Sequence, residues 1–194
     1  MRNIIQREFY QRDTVEVARD LLGALLVRVH DGKLMSGIIA ETEAYAGEFD
    51  PASHTYNGKT VRNVALFGPV GHSYVYLSYG IHHCLNLVAR PENQMAGGVL
   101  IRGLIPVEGI EHMQHYRNTA RIDRLTNGPG NVGQALQFNL NHNHIDVTTH
   151  GQLYVLQGKP IADEHIRVTP RIGISKAQEY PWRFVLDEAH ARLL

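Results

Sequence analysis

The chain has a single cysteine, Cys84, among 194 residues. No intrachain disulfide is possible, which suits a reducing compartment. It also has no excess of charge: 19 Lys and Arg balance 19 Asp and Glu. A nonspecific nucleic-acid coat is basic, so neutrality argues against that class, although a local field at one contact surface is compatible with it. No apolar run approaches the roughly 20 residues of a membrane span. The opening residues, MRNIIQREFYQRD, lack the uninterrupted apolar segment and small-residue cleavage site of a signal peptide. Together these absences lead us to expect a cytoplasmic protein.

Several catalytic signatures are missing as well. GPGNVG at 128–133 lacks the Gly-Lys-Ser/Thr ending of a phosphate-binding Walker loop. There is no Gly-x-Ser-x-Gly nucleophile elbow, and Cys84 lies in an apolar strand, as a packed thiol does. NHNHIDVTTH, with His142, His144, Asp146 and His150, superficially resembles a metal-binding His-x-His-x-Asp pattern. It is embedded in an Asn-rich loop and lacks the second adjacent histidine, so no metal is expected there. His82, His83 and Cys84 alternate in direction along a strand, and neighbours of that kind do not converge on one ion.

What is present is one domain's worth of chain, dominated by hairpins. A helix is predicted over 14–22, with Asp13 as its N-cap and Gly23 past its end. Residues 24–30 read as a strand, Asp31-Gly32 as a tight hairpin turn and 34–45 as the returning strand. Residues 47–71 form a polar, Gly-rich loop, and one that long inside a compact domain is either functional or disordered. A further strand is expected over 99–105. Pro106 is expected in the first turn of a helix to about Arg117, and 127–133 as a glycine-rich lead into a helix over 134–138. Short strands are expected over 153–156, 166–174 and 183–186. The pattern favours α+β with a mainly antiparallel sheet over a doubly wound fold.

The stretch that organises the chain is 71–89, GHSYVYLSYGIHHCLNLVA. Residues 72–79 are rich in β-branched and aromatic side chains, Gly80 supplies turn freedom, and 81–89 returns as a mostly apolar strand. Tyr74 and Tyr76 share one face. Tyr79 abuts the turn and is placed to project as a wedge into another molecule. Buried area, the usual use of a tyrosine, suits Tyr74 better.

Upstream, Glu41 and Glu43 lie on one face near a strand end, with Tyr45 next in register. They read either as a solvated edge or as a carboxylate pair leading into a loop, where one is suited to activate water. Arg102 interrupts the apolar strand VLIRGLI. It is either a snorkelling edge residue or the partner of a carboxylate, for which Glu43 is the natural candidate. Asn86 breaks CLNLVA and is either a strand-to-strand clip or part of a pocket lining.

Taken together, ETEAY (41–45), DPASH (50–54), RN (62–63), YVYLSYGIHHCLN (74–86), LIRGLIP (100–106) and GPGNVGQAL (128–136) make the chain resemble the alkyladenine (3-methyladenine) DNA glycosylase family. The resemblance runs over most of 10–175. It implies a curved antiparallel sheet with peripheral helices and a β-hairpin that protrudes into the DNA minor groove. It implies a monomer that acts on double-stranded DNA and excises damaged purines such as 3-methyladenine, 7-methylguanine, hypoxanthine and ethenoadenine. By position, Glu43 would activate water and Arg102 would help place it. Tyr45, His54 and Tyr76 would hold the extruded base, Asn86 would reject guanine, and Tyr79 would fill the gap in the helix. No lysine occurs in ETEAY or YVYLSYG, so water is the implied nucleophile, without lyase activity, metal or cofactor. Two departures stand out: His82-His83 beside the wedge, and Asn131 where a lysine is common in the family. The competing readings are a non-catalytic nucleic-acid-binding module that uses the hairpin, and a carbohydrate hydrolase using Glu41 and Glu43. The second is disfavoured because neighbours two apart on one strand straddle a sugar poorly.

Overall fold

The computed structural model describes residues 2–191. The expected α+β class holds. Eight strands form one antiparallel sheet: β1 (Leu25–His30), β2 (Lys33–Tyr45), β3 (Ser73–Ser78), β4 (His82–Val88), β5 (Gly98–Glu108), β6 (Leu153–Leu156), β7 (Ile166–Thr169) and β8 (Arg183–Leu186). The main path runs β3-β4-β5-β2-β1-β6, and β8 joins it by pairing with both β2 and β7. The 13-residue β2 is the hub. β5 lies along one of its edges, while β1 takes the first half of the other edge and β8 the second.

Turn chemistry explains the hairpins. Asp31 and Gly32 have φ of 49° and 74°, the left-handed pair that matches strand twist in a two-residue turn. The β3–β4 hairpin has one more loop residue, since Ser78 pairs with His82; Ile81 N–H donates to Ser78 O at 3.0 Å, across Tyr79 and Gly80 with φ of 49° and 72°. The first long helix, α2 (Thr14–Asp20), follows the four-residue α1 (Arg7–Tyr10) and begins at the expected cap. Asp13 accepts from the Val15 and Glu16 amides, and Val17, Ala18 and Leu21 are fully buried against the sheet.

Three local expectations are corrected. Pro106 does not start a helix. It extends β5 opposite Gly37, at a point where β4, whose pairing with β5 runs only as far as Leu100, has already departed. A strand with a free edge tolerates the missing N–H, and α3 (Ile110–Arg117) begins only after Gly109, whose φ is 69°. The helix expected over 134–138 is α4 (Pro129–Ala135), so the glycine-rich run is the helix itself rather than its approach. Its glycines are there for close packing. A Cβ on Gly133 would lie 1.8 Å from His83 O, and one on Gly130 would lie 2.7 Å from the His82 ring. The strand expected over 166–174 also stops early, at Thr169.

These contacts press α4 onto the back of β4. On the other strand of the hairpin, Asn143 donates to Val75 O at 2.9 Å and accepts from Val75 N at 3.0 Å. That side chain stands in for a neighbouring strand and blunts the sheet edge. The loop over 47–71 is folded onto the same region through short 3₁₀ turns, Gly47–Phe49 and Val64–Phe67. Its Ala65 and Leu66 pack with Tyr74, Val88 and Ala96 in a small second core.

Gly133→Ala is expected to cost about 1–3 kcal/mol or more of folding stability, the usual range for overpacking a closed contact. Gly58→Ala meets no atom within 4 Å but sits at φ 91°, so it carries only backbone strain. Urea unfolding of the two variants checks the order: Gly133→Ala should have the lower midpoint.

Candidate active site

The site grows from a pair of register shifts between β2 and β5. Ile39 faces Leu104 and Glu41 faces Gly103, so Ala40 is an extra residue on β2; Thr42 then faces Ile101, so Arg102 is an extra residue on β5. Bulges bend a strand and re-aim its side chains. Here they bring Arg102 against both acids. Its Nε lies 2.8 Å from Glu41 Oε1, and its Nη1 lies 3.4 Å from Glu43 Oε2. The partner expected for Arg102 was Glu43, yet the tighter contact is with Glu41. Arg183 on β8 completes the group, its Nε 2.6 Å from the same Glu41 oxygen. Burial opposes ionisation of Glu41, but the bonds and charges of Arg102 and Arg183 outweigh it and hold its pKa below the ordinary value. Arg102 is correspondingly held above its own ordinary value: burial lowers it, and Glu43 and Glu41 more than compensate.

Glu43 is completely buried. Its Oε2 accepts from the Tyr45 hydroxyl at 2.8 Å and its Oε1 from the Ile172 amide at 2.7 Å. Those are two donors for a group with about four acceptor sites, and Arg102 adds a cation beside it. The solvated-edge reading of Glu43 is therefore excluded. Glu43 does not itself line the neighbouring cavity; it stands behind Tyr45, Arg102 and Ile172, which do.

That cavity has a volume of about 660 Å³, within the usual range for small-molecule sites. Of the residues singled out in the sequence, Tyr45, His54, Tyr76, Asn86, Arg102 and Tyr79 all border it. Tyr76 meets the His54 ring edge-on at 4.6 Å and stacks with Tyr74 at 5.7 Å. His54 Nδ1 lies 3.1 Å from the Tyr74 hydroxyl, so Tyr74, read as core, has its hydroxyl at the site while its ring is buried. Burial, followed by Arg62, holds His54 below its ordinary pKa. Asn86 performs both of its candidate jobs: it faces the cavity and donates to Tyr74 O at 3.3 Å, across the β3–β4 ladder. Cys84 borders the cavity as a buried thiol whose pKa is raised by burial. Tyr79, at the hairpin tip beside this mouth, is 88% exposed.

Sequence reasoning missed four contributors. Arg183 and the Ile172 amide were missed, as was the Asp50–Arg171 pair, although Asp50 lies inside a quoted block. Arg171, Ile172 and Arg183 reach Asp50, Glu43 and Glu41 from more than 120 residues away, and no local spacing signals that. The histidine-rich run disperses. His142 Nε2 sits 2.7 Å from Arg28 Nη2, Asp146 pairs with Arg7 at 2.5 Å, and His150 lies edge-on to Tyr154. Arg28 has no acceptor capacity, so Nε2 of His142 is the accepting nitrogen.

The sequence profile of the methylpurine-DNA glycosylase family matches residues 8–190. The chain belongs to that family. A protein of Carboxydothermus hydrogenoformans is 45% identical over 94% of this chain and 95% of its own length. A Chlorobaculum parvum protein is 44% identical over 94% and 88%, and a Bacillus cereus protein 43% identical over 92% and 93%. All three are provisionally named as 3-methyladenine DNA glycosylases. The chain is thus a DNA glycosylase, a hydrolase of N-glycosyl bonds that serves DNA repair. No helix among the described residues is long and apolar enough to cross a membrane.

The histidines generate a pH prediction. His54 and His142 are both held below the ordinary value, His142 by burial and then by Arg28. Between their folded values and about 6.5, the unfolded chain binds more protons than the folded one. Stability is thus fully present above pH 6.5 and declines as pH falls below it. Urea unfolding at pH 7.5, 6.5 and 5.5 should give a falling free energy, with a shallower fall in His142→Gln. A flat or rising profile would contradict the assignment.

Proposed function

We propose that this glycosylase turns a damaged purine out of double-stranded DNA into the 660 Å³ cavity and hydrolyses its glycosidic bond with water activated by Glu43. The observation that carries the reading is a juxtaposition. An exposed aromatic ring sits on a stiff turn beside an aromatic-lined hollow, and a buried carboxylate, hydrogen-bonded twice and paired with Arg102, lies just behind that hollow's wall.

A purine inside a duplex hides its glycosidic bond, so the nucleotide must leave the stack and something must fill the space it vacates. Tyr79 suits that role because the tip presents its ring to solvent on a backbone held by six ladder pairs. Tyr45, Tyr76 and His54 then offer faces and edges to the extruded base, where each aromatic stack is worth about 1–3 kcal/mol. Asn86, whose amide already borders the hollow, crowds the exocyclic amine of a normal guanine. The substrates proposed are 3-methyladenine, 7-methylguanine, hypoxanthine and ethenoadenine.

In the reaction the bond from the sugar C1′ to the base nitrogen breaks, and the base takes the electron pair. The sugar gains oxocarbenium character, and water forms the new bond at C1′ while Glu43 accepts its proton. Two of the roughly four acceptor sites of Glu43 are taken by Tyr45 and Ile172, which leaves capacity for water beside the Arg102 cation. Arg102 fixes that carboxylate and orients the water. A purine alkylated at N7 leaves readily because departure discharges its positive charge. Hypoxanthine is neutral and needs a proton or hydrogen bonds on the departing base. No lysine amine takes part, so the abasic product remains unnicked. The enzyme works as a monomer, in the cytoplasm, without cofactor.

Glu43→Gln should lower base release by about 10²–10⁴-fold, the usual worth of a general base, with binding to a lesion-bearing duplex kept. Single-turnover release followed by alkaline cleavage of the abasic product measures the first effect, and gel shift the second. Unchanged release in Glu43→Gln would remove the assigned base and favour a pure binding module. Strand nicking before alkali would instead point to a lyase.

A further inference from the structure

The most deeply buried ion pair among the described residues joins Asp50 to Arg171, with both side chains wholly out of solvent, and neither has a part in the chemistry above. Arg171 Nη1 and Nη2 lie 2.5 and 2.9 Å from the two Asp50 oxygens. Nη1 also donates at 2.8 Å to Ala44 O, the carbonyl between Glu43 and Tyr45. The guanidinium carbon is 4.8 Å from the ring centre of Tyr45 and 5.1 Å from that of Trp182. A full cation is therefore held between two aromatic rings. Tyr45 borders the cavity and Arg171 does not, so the cation approaches the Tyr45 ring from the protein side.

A ring attracts a cation through the negative potential over its faces. A cation already seated against one side draws on that potential and leaves less for a second cation on the other. Asp50 grips the guanidinium by its Nη edge, so the carboxylate does not stand between cation and ring. The Tyr45 hydroxyl feels the same arrangement. Burial and then Glu43 push its pKa up, and Arg171 is the charge pulling it down.

We propose that Asp50 and Arg171 set the lesion range of the pocket: by keeping a cation behind Tyr45 they reduce its preference for positively charged purines over uncharged ones. The pair acts through Tyr45 and touches no substrate, so these are positioning residues. The inference rests on the base-stacking role of Tyr45 given above.

The test is a ratio of two single-turnover release rates, at saturating enzyme, from duplexes holding 7-methylguanine (cationic) or hypoxanthine (neutral). Both rates come from one preparation, so a smaller folded fraction cancels and a merely structural role leaves the ratio still. In the Asp50→Asn/Arg171→Gln double variant, which removes both charges, the 7-methylguanine-to-hypoxanthine ratio should rise threefold or more. In Asp50→Asn alone the guanidinium keeps its place between the rings without its counter-charge, and the ratio should fall threefold or more. Where the double variant does not fold, the single variant carries the test. A smaller shift, or one of the opposite sign, overturns the proposal. If the unaltered enzyme releases neither base, the glycosylase reading itself fails; if it releases both and the ratio does not move, only this inference does.

Discussion

Everything at the site depends on one guanidinium shared by two acids. Arg102 touches Glu41 and Glu43 at once, and Arg183 supplies the second positive charge. Two carboxylates two residues apart on one strand repel, and burying them without cations would cost several kcal/mol per charge. With two arginines the group is electrically balanced. The balance explains why the sheet gives up regular pairing here. The extra residues Ala40 and Arg102 unpair β2 and β5 locally, and in return Arg102 stands against both acids. Remove Arg102 and Glu43 would keep its bonds to Tyr45 and Ile172 but lose the only cation at contact distance among the described residues.

The hairpin is held by a different means. Its tip carries a non-glycine residue at positive φ, Tyr79, a conformation that costs of order 1 kcal/mol or more. Such strain persists only where the surroundings dictate it. Here the surroundings are the β3–β4 ladder, α4 packed against β4 through Gly130 and Gly133, and Asn143 bonded to both polar groups of Val75. Three supports converge on a hairpin whose tip is left free. The small second core of Ala65, Leu66, Tyr74, Val88 and Ala96 adds a fourth and ties the 47–71 loop, with His54, to the same body.

What could be read in the sequence follows from how local each cause is. The Asp13 cap, the Asp31-Gly32 turn and the Tyr79 tip rest on a few consecutive residues, and the structure agrees with them. Pro106 and the glycine-rich run were misread because a local rule met a tertiary one. A proline suits a first helical turn equally well as a free strand edge, and a glycine suits a flexible loop equally well as a helix pressed to 1.8 Å of a carbonyl. Only the neighbour decides. The site divides in the same way. Glu43, Tyr45, His54, Tyr76 and Asn86 stand in short blocks that carry the family resemblance. Glu41's double pairing, Arg183 and Arg171 depend on contacts spanning 61 to 142 residues, and a single sequence holds no trace of which arginine meets which acid.

Neutral net charge also takes on a sense once the arginines are located. Arg7, Arg28, Arg90, Arg102, Arg171 and Arg183 all spend guanidinium donors on carbonyls, carboxylates or a histidine inside the protein. Those six of the 19 cationic side chains thus serve folding and the site's internal balance, while Arg62 and Lys176 border the cavity. Counterion release from phosphates, which supplies sequence-independent affinity, scales with the cations that face DNA, so net charge alone does not set it. Under the proposed function, discrimination falls to short-range contacts, at the aromatic-lined hollow and the exposed Tyr79 ring on its strained turn.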